Sequence, residues 1–302
     1  MDNTRILEAL MSVNLMNIPE PKRLLLELLV GQLSGISGMA AVVLGGSYAG
    51  GTQHDTSDLD IGLYYREAKP FSIADIRRVA NGVSAKGPAT VTDFYEWGAW
   101  VNGGAWIFTL QGKVDFLYRN LDQVERTIAE ANCGIVQQDY GQQPAYGFYS
   151  IIYLAETQIC IPLHDPEGLI ADLKRRVEVY PPKLKERIIT DSLWSAEFTL
   201  IHARNFAAQG DVYNTAGCLT RTASNLTQML FALNGKYFLG DKKAMDALAA
   251  FPTLPAGYVQ RINRTLGCPG GSAQELTGSV DEMEQVWQSV VALPGVEYQS
   301  KY

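Results

Sequence analysis

Two aspartates one residue apart, inside a run otherwise suited to the interior of a sheet, constrain this chain more than any other feature. The stretch is LGGSYAGGTQHDTSDLDIGLYY, from Leu44 to Tyr65. Side chains at i and i+2 on a strand point to one face. Asp58 and Asp60 are therefore expected side by side, with Leu59 and Ile61 on the opposite face. Two like charges beside a core are costly unless something positive sits between them. A divalent cation meets that need, and hard oxygen ligands favour magnesium. Upstream, Gly45 and Gly46 let the backbone approach a ligand closely, and Ser47 offers a hydroxyl to an anion. If a helix starts near Ser47, its free N–H groups add to such a phosphate cradle.

The surrounding pattern predicts the elements that carry this stretch. PEPKRLLLELLVGQLSG reads as a helix begun by Pro19 or Pro21, and MAAVVLGG as a short buried strand. LDIGLYY is expected to pair antiparallel with that strand. SIADIRRVANGV reads as a helix. ATVTDFYEW and GGAWIFTLQGKVDFLYRN supply further strands, with LQGK as a hairpin turn. LDQVERTIAEANCG is a helix ending near Gly134. From Pro166 onward the periodicity is almost wholly helical. The expectation is an α+β fold with a mixed sheet and flanking helices over residues 1–165, followed by an all-helical domain over residues 166–302.

Composition narrows the class. The 302 residues carry a formal net charge of −7 with 47% hydrophobic residues, which suits a globular protein and argues against a general DNA- or RNA-coating surface. The four cysteines, Cys133, Cys160, Cys218 and Cys268, form no CxxC pair and are expected as small buried hydrophobes in a reducing compartment. The opening residues lack the pattern of a signal peptide, and no apolar run approaches the roughly 20 residues needed to span a bilayer, so no membrane is expected and a cytoplasmic setting follows. Oligomeric state is not legible.

Gly46-Ser47, ten residues, then Asp58-Leu59-Asp60, with a further aspartate, Asp115, among apolar residues in GKVDFLYRN, resembles the signature of the DNA polymerase β-type nucleotidyltransferase superfamily. An alternative, an Asx-rich turn in HDTSDLD, accounts for Asp55 and in part Asp58, but not for Asp60 and Asp115. The mixed domain followed by helices is similar to the antibiotic nucleotidyltransferases that modify aminoglycosides or lincosamides. The stretch EWGAWVNGGAWIFTLQGKVDFLYRNLDQVE further resembles bacterial nucleotidyltransferase-domain proteins without an assigned substrate. The resemblance implies two Mg2+ ions held by Asp58, Asp60 and Asp115, and ATP or another NTP held through Gly46 and Ser47. It also implies transfer of a nucleoside monophosphate to a small-molecule hydroxyl, in a cleft between the domains. By the same resemblance Asp115 completes the metal site or acts as base, and Glu96 in DFYEWGAW is a second candidate base. Two alternatives stay open: an antitoxin-like enzyme modifying a protein or RNA partner, and a non-catalytic nucleotide-binding regulator.

The same resemblance implies triphosphate contacts from the helical half, and three lysines are the candidates. In NGKYFLGDKKAMDAL, Gly235 reads as a helix C-cap and Asp241 as an N-cap, which places Lys236, Lys242 and Lys243 around an interhelical joint. The aromatic cluster FYEWGAWVNGGAW reads either as a wall for a sugar or base, or as core packing. Asp93, Glu96 and Glu197 are further carboxylates suited to a cationic acceptor.

Overall fold

The computed structural model describes residues 18–302. The reading drawn from residues 1–17 lies outside them. Two compact units emerge. One comprises residues 18–129 together with Tyr153–Val179, and the other comprises Glu130–Ile152 with Tyr180–Tyr302.

The first unit opens with helix α1, Glu20–Leu33, for which Pro19 is the N-cap and Pro21 lies in the first turn. Their fixed φ suits a helix start, where a missing N–H costs nothing. Strand β1 (Ala41–Leu44) is buried throughout and runs into the five-residue helix α2, Gly46–Gly50. Strand β2 (Leu59–Tyr65) pairs antiparallel with β1. Helix α3 (Ile73–Val83) follows, with the Ser72 side chain accepting from the backbone N–H of Asp75. The short strand β3 (Thr90–Val91) leads to the hairpin of β4 (Gly104–Thr109) and β5 (Gly112–Asn120), closed at Leu110-Gln111 as LQGK suggests. Helix α4 is Leu121–Asn132, and Gly134 beyond it has φ +78.

The chain then forms a small hairpin of β6 (Gln138–Asp139) and β7 (Phe148–Tyr149), followed by helix α5 (Ile152–Ile159), strand β8 (Ile161–His164) and helix α6 (Leu169–Arg176). The six-stranded sheet of the first unit has the order β3-β4-β5-β2-β1-β8. It is mixed: β2 and β5 run parallel, and the other pairings are antiparallel. Leu26, Leu29, Val30, Leu63, Phe71, Ile76, Phe116 and Tyr118 belong to the core on one face of this sheet. That burial follows the sequence alternation of β2 and β5.

Beyond residue 180 the second unit is helical: α7 (Pro182–Ala208), α8 (Val212–Leu233), α9 (Ala244–Ala249), α10 (Tyr258–Gly267) and α11 (Ala273–Val291). α11 starts on a reciprocal cap in which Ser272 and Glu275 satisfy each other's backbone N–H groups. Among the described residues no helix is long and apolar enough to cross a membrane.

Three expectations are corrected. ATVTDFYEW is a strand only over Thr90–Val91. Past Thr92 the chain turns, with Tyr95 at φ +63 and Gly98 at φ +97, conformations that no strand contains. Asp241 is not the cap of α9. The cap position is Lys243, in a left-handed conformation, and Asp241 accepts instead from the Tyr146 N–H at 3.4 Å. Of the cysteines only Cys160 is buried, and all four are free thiols.

Candidate active site

The site is built where β1 ends and β2 and β5 begin. β1 stops at Leu44 because Gly45 and Gly46 break its ladder. Gly45 still donates to the Asp60 carbonyl at 2.8 Å, and Gly46 takes φ +58. The glycine at 46 is required twice over. A side chain disfavours that backbone conformation, and a Cβ there would lie 2.6 Å from the Asp60 Cγ and overlap its Oδ2. β1 is buried, but Gly45, Gly46 and Ser47 are part-exposed, so this backbone is open to a ligand beside the Asp60 carboxylate.

Asp60 and Asp115 are direct register partners across the parallel pair β2–β5. They share a face for the reason the alternation gives: their flanking residues Leu59, Ile61, Val114 and Phe116 are buried on the other side. Asp58 stands at the last position before β2.

A lysine that sequence reasoning did not single out joins the aspartates. Lys113 lies two residues before Asp115 on β5. Its Nζ is 2.8 Å from Asp115 Oδ2 and 3.6 Å from Asp58 Oδ2. Its place was legible, since the i, i+2 rule used for Asp58 and Asp60 applies equally to GKVD. Burial pushes the Asp115 carboxyl above its ordinary value, the Lys113 ammonium pulls it back, and the Asp58 charge adds to the rise. The Lys113 ammonium is disfavoured by burial but is held above its ordinary value by Asp115, Asp58 and Asp60. Asp115 Oδ1 is buried and has no hydrogen-bond partner.

Among the described residues no three His, Cys, Asp or Glu side chains converge closely enough to hold a metal ion as they stand. The donor set nonetheless fits a hard cation in kind: carboxylate oxygens on adjacent strands, one of them buried and unsatisfied. The Lys113 ammonium supplies the positive charge between them.

A second lysine organises the loop that delivers Asp58. Lys22, on α1, is 9% exposed, and its Nζ donates to the carbonyls of Ser57 at 2.6 Å and Asp55 at 3.4 Å. It also reaches the Tyr48 hydroxyl at 3.3 Å. A buried ammonium needs such acceptors, and these fix the loop just ahead of Asp58. Ser57 Oγ accepts from the His54 N–H at 2.9 Å inside the same loop.

The aromatic run divides. Phe94 packs into the core against Tyr65, Phe71 and Tyr118. Trp97 packs against Trp106 with centroids 4.9 Å apart, and Trp106, 46% exposed, is the register partner of Asp115 on β4. Lys113 Nζ lies 5.9 Å from the Trp106 ring centroid. An indole pair thus borders the carboxylates.

Glu96 lies in the turn after β3, exposed, and its Oε2 accepts from the Asp93 N–H at 2.8 Å. Lys236, Lys242 and Lys243 are exposed residues of the second unit, on either side of Tyr237 and Phe238, which are buried. Gly235 does end α8, with φ +63 just past the Asn234 cap. Glu197 is no open carboxylate for an acceptor. Tyr298 donates to it at 2.7 Å and the Lys301 N–H at 3.1 Å, and Ser300 also donates to it, so it fastens the chain's last residues.

The family comparison agrees with the geometry. Residues 26–135 match the family described as Nucleotidyltransferase domain, and residues 152–242 match a Domain of unknown function (DUF4037). The curated proteins give no match. Among solved structures, the chain is similar to a nucleotidyltransferase-like protein from Exiguobacterium sibiricum, at 11% identity and a TM-score of 0.43, over 85% of this chain and 70% of that one. Residues 26–135 thus form a nucleotidyltransferase domain, the domain of a transferase.

Proposed function

We propose that the chain transfers a nucleoside monophosphate, AMP from ATP, to a hydroxyl of a small molecule in the cytoplasm, with Mg2+ and release of pyrophosphate. The observation that carries this reading is the pairing of Asp60 with Asp115 across parallel strands, beside the open turn Gly46-Ser47. Asp58, Asp60 and Asp115 would hold the metal. When bound, the ion would neutralise charge developing on the triphosphate and orient its α-phosphate.

The chain's own residues account for the rest. Gly46 and Ser47 present backbone and hydroxyl to the triphosphate without a side chain in the way. The acceptor oxygen forms a bond to the α-phosphorus as the bond to pyrophosphate breaks. Its proton would pass to Asp115, whose roles as metal ligand and base can share the two oxygens of one carboxylate. Trp97 and Trp106 offer a ring face to the sugar or base.

The test is pyrophosphate release with each nucleoside triphosphate and Mg2+, across aminoglycosides, lincosamides and simple sugars, beside an Asp60→Ala control. Acceptor-dependent release abolished by the control is expected. Release that persists in the control would overturn the site. No release, with Mg2+-dependent nucleotide binding retained, would exclude these acceptors and point to a protein or RNA acceptor or to a nucleotide-binding regulator.

A further inference from the structure

The second unit contains a cavity of about 380 Å³, lined by the β6–β7 hairpin region, one face of α7 and one face of α8. Small-molecule sites occupy roughly 300–1,000 Å³ and combine an apolar wall with a few placed polar groups. This cavity has both. From α7 come Asp191 and Ser192, four and three residues before Ser195, so that each neighbours Ser195 on the helix surface. From α8 come Asn225 and Gln228, three apart. Trp194 borders the space and is 38% exposed.

Several of the polar groups already have partners. Asn225 Nδ2 donates to Ser195 Oγ at 3.0 Å and to the Arg221 carbonyl at 3.0 Å. Asp191 is held by Arg187 at 2.7 Å. Trp194 is stacked on Phe198 with centroids 5.4 Å apart and planes 8° from parallel. One group is left over. Gln228 is 4% exposed, and its Oε1 is buried with no hydrogen-bond partner. A buried amide oxygen without a donor opposes folding, so its presence in a cavity wall points to a donor that arrives with a ligand.

We propose that this cavity binds a neutral sugar or cyclitol ring. Such a ring offers an apolar C–H face to an indole and a girdle of hydroxyls, each both donor and acceptor. Planar amides and a carboxylate meet neighbouring hydroxyls in pairs, which is the set Gln228, Asn225 and Asp191 provides. A nucleobase fits less well. It gains most from rings on both faces, and the other aromatic lining residue, Tyr149, is committed to an edge contact with Phe238 at 5.7 Å and to Ser224 at 3.2 Å. The inference rests on the second unit alone and does not depend on the aspartates of the first.

Titration calorimetry on the full chain tests it, with D-glucose, N-acetyl-D-glucosamine, myo-inositol and adenosine as probes. Saturable binding of at least one of the three polyols is expected, weakened about tenfold in Gln228→Met and in Asn225→Ala and unchanged in Asp60→Ala. Asn225 is part-exposed, so its variant keeps the test decisive if Gln228→Met fails to fold. No polyol binding would overturn the proposal, as would polyol binding that the cavity variants leave untouched. Adenosine binding abolished by the same variants, with no polyol bound, would assign the cavity to a nucleobase and overturn it equally.

Discussion

Lys113 Nζ sits 2.8 Å from Asp115 and 3.6 Å from Asp58, so an ammonium occupies the position where two carboxylates need a positive charge. A lysine that pairs the aspartates competes with any cation for the same oxygens. The pair is part-exposed, so screening limits the competition to about 1 kcal/mol. Lys113→Met is therefore expected to tighten Mg2+ or Mn2+ binding roughly fivefold, read by calorimetry on the nucleotide-free protein. Unchanged or weaker metal binding in this variant would show that Lys113 does not compete.

Gly46 and Asp60 are coupled by sterics. Gly46→Ala forces a Cβ against the Asp60 carboxylate at a position with φ +58. A left-handed non-glycine residue costs on the order of 1–3 kcal/mol before any clash is relieved. The variant is expected to lose about that much stability in urea denaturation. It is also expected to lose divalent-metal affinity, because Asp60 must move. Wild-type stability in Gly46→Ala would mean that the turn relaxes freely.

Arg119 and Glu156 tie helix α5 to the sheet of the first unit. Arg119 on β5 is 4% exposed, and two of its nitrogens each lie 2.8 Å from a Glu156 oxygen. Removing one partner leaves the other charge unpaired. Glu156 is partly exposed, which softens the loss, so Glu156→Gln is expected to cost about 2–3 kcal/mol in denaturant titrations. The double replacement Arg119→Met with Glu156→Leu is expected to recover most of it. A double variant no better than the single one would place the stabilisation in the pair itself.

Glu197 predicts a pH dependence. Burial raises its carboxyl, but hydrogen bonds from Ser300, Tyr298 and the Lys301 and Tyr302 N–H groups outweigh burial and hold it below its ordinary 4.5. A depressed carboxyl contributes stability at pH values above 4.5, and that contribution is lost as the pH falls through the lower folded value. Glu197→Gln is expected to flatten the fall in melting temperature on acidification below pH 4.5. Parallel acid profiles for the two proteins would remove Glu197 from the account.

Local signals were legible where one residue type has one use. Pro19 and Pro21 marked the start of α1, Gly235 the end of α8, and the alternation of LDIGLYY and GKVDFLYRN the buried face of β2 and β5. ATVTDFYEW misled because aromatic and β-branched residues favour strands generally. Its outcome was decided by the Tyr95 and Asn102 backbones, both at positive φ, and by Asn102 buried under contacts to Gln123 and Asn120. Glu197 read as an open carboxylate because nothing local announces that residues a hundred positions away will close over it.

The sequence by itself determined the carriers of the chemistry: a glycine turn, two aspartates spaced to share a face, a third among apolar residues, and helices after the sheet. Period and spacing are local properties, set by backbone geometry within a few residues. Only the tertiary structure decided that β5 lies parallel beside β2, which puts Asp115 in register with Asp60 and brings Lys113 between the carboxylates. It alone decided that residues 153–179 return to the first unit while 130–152 join the second. Strand order and register follow from which apolar faces bury one another best across the whole chain, and that competition is won by contacts between residues far apart in sequence.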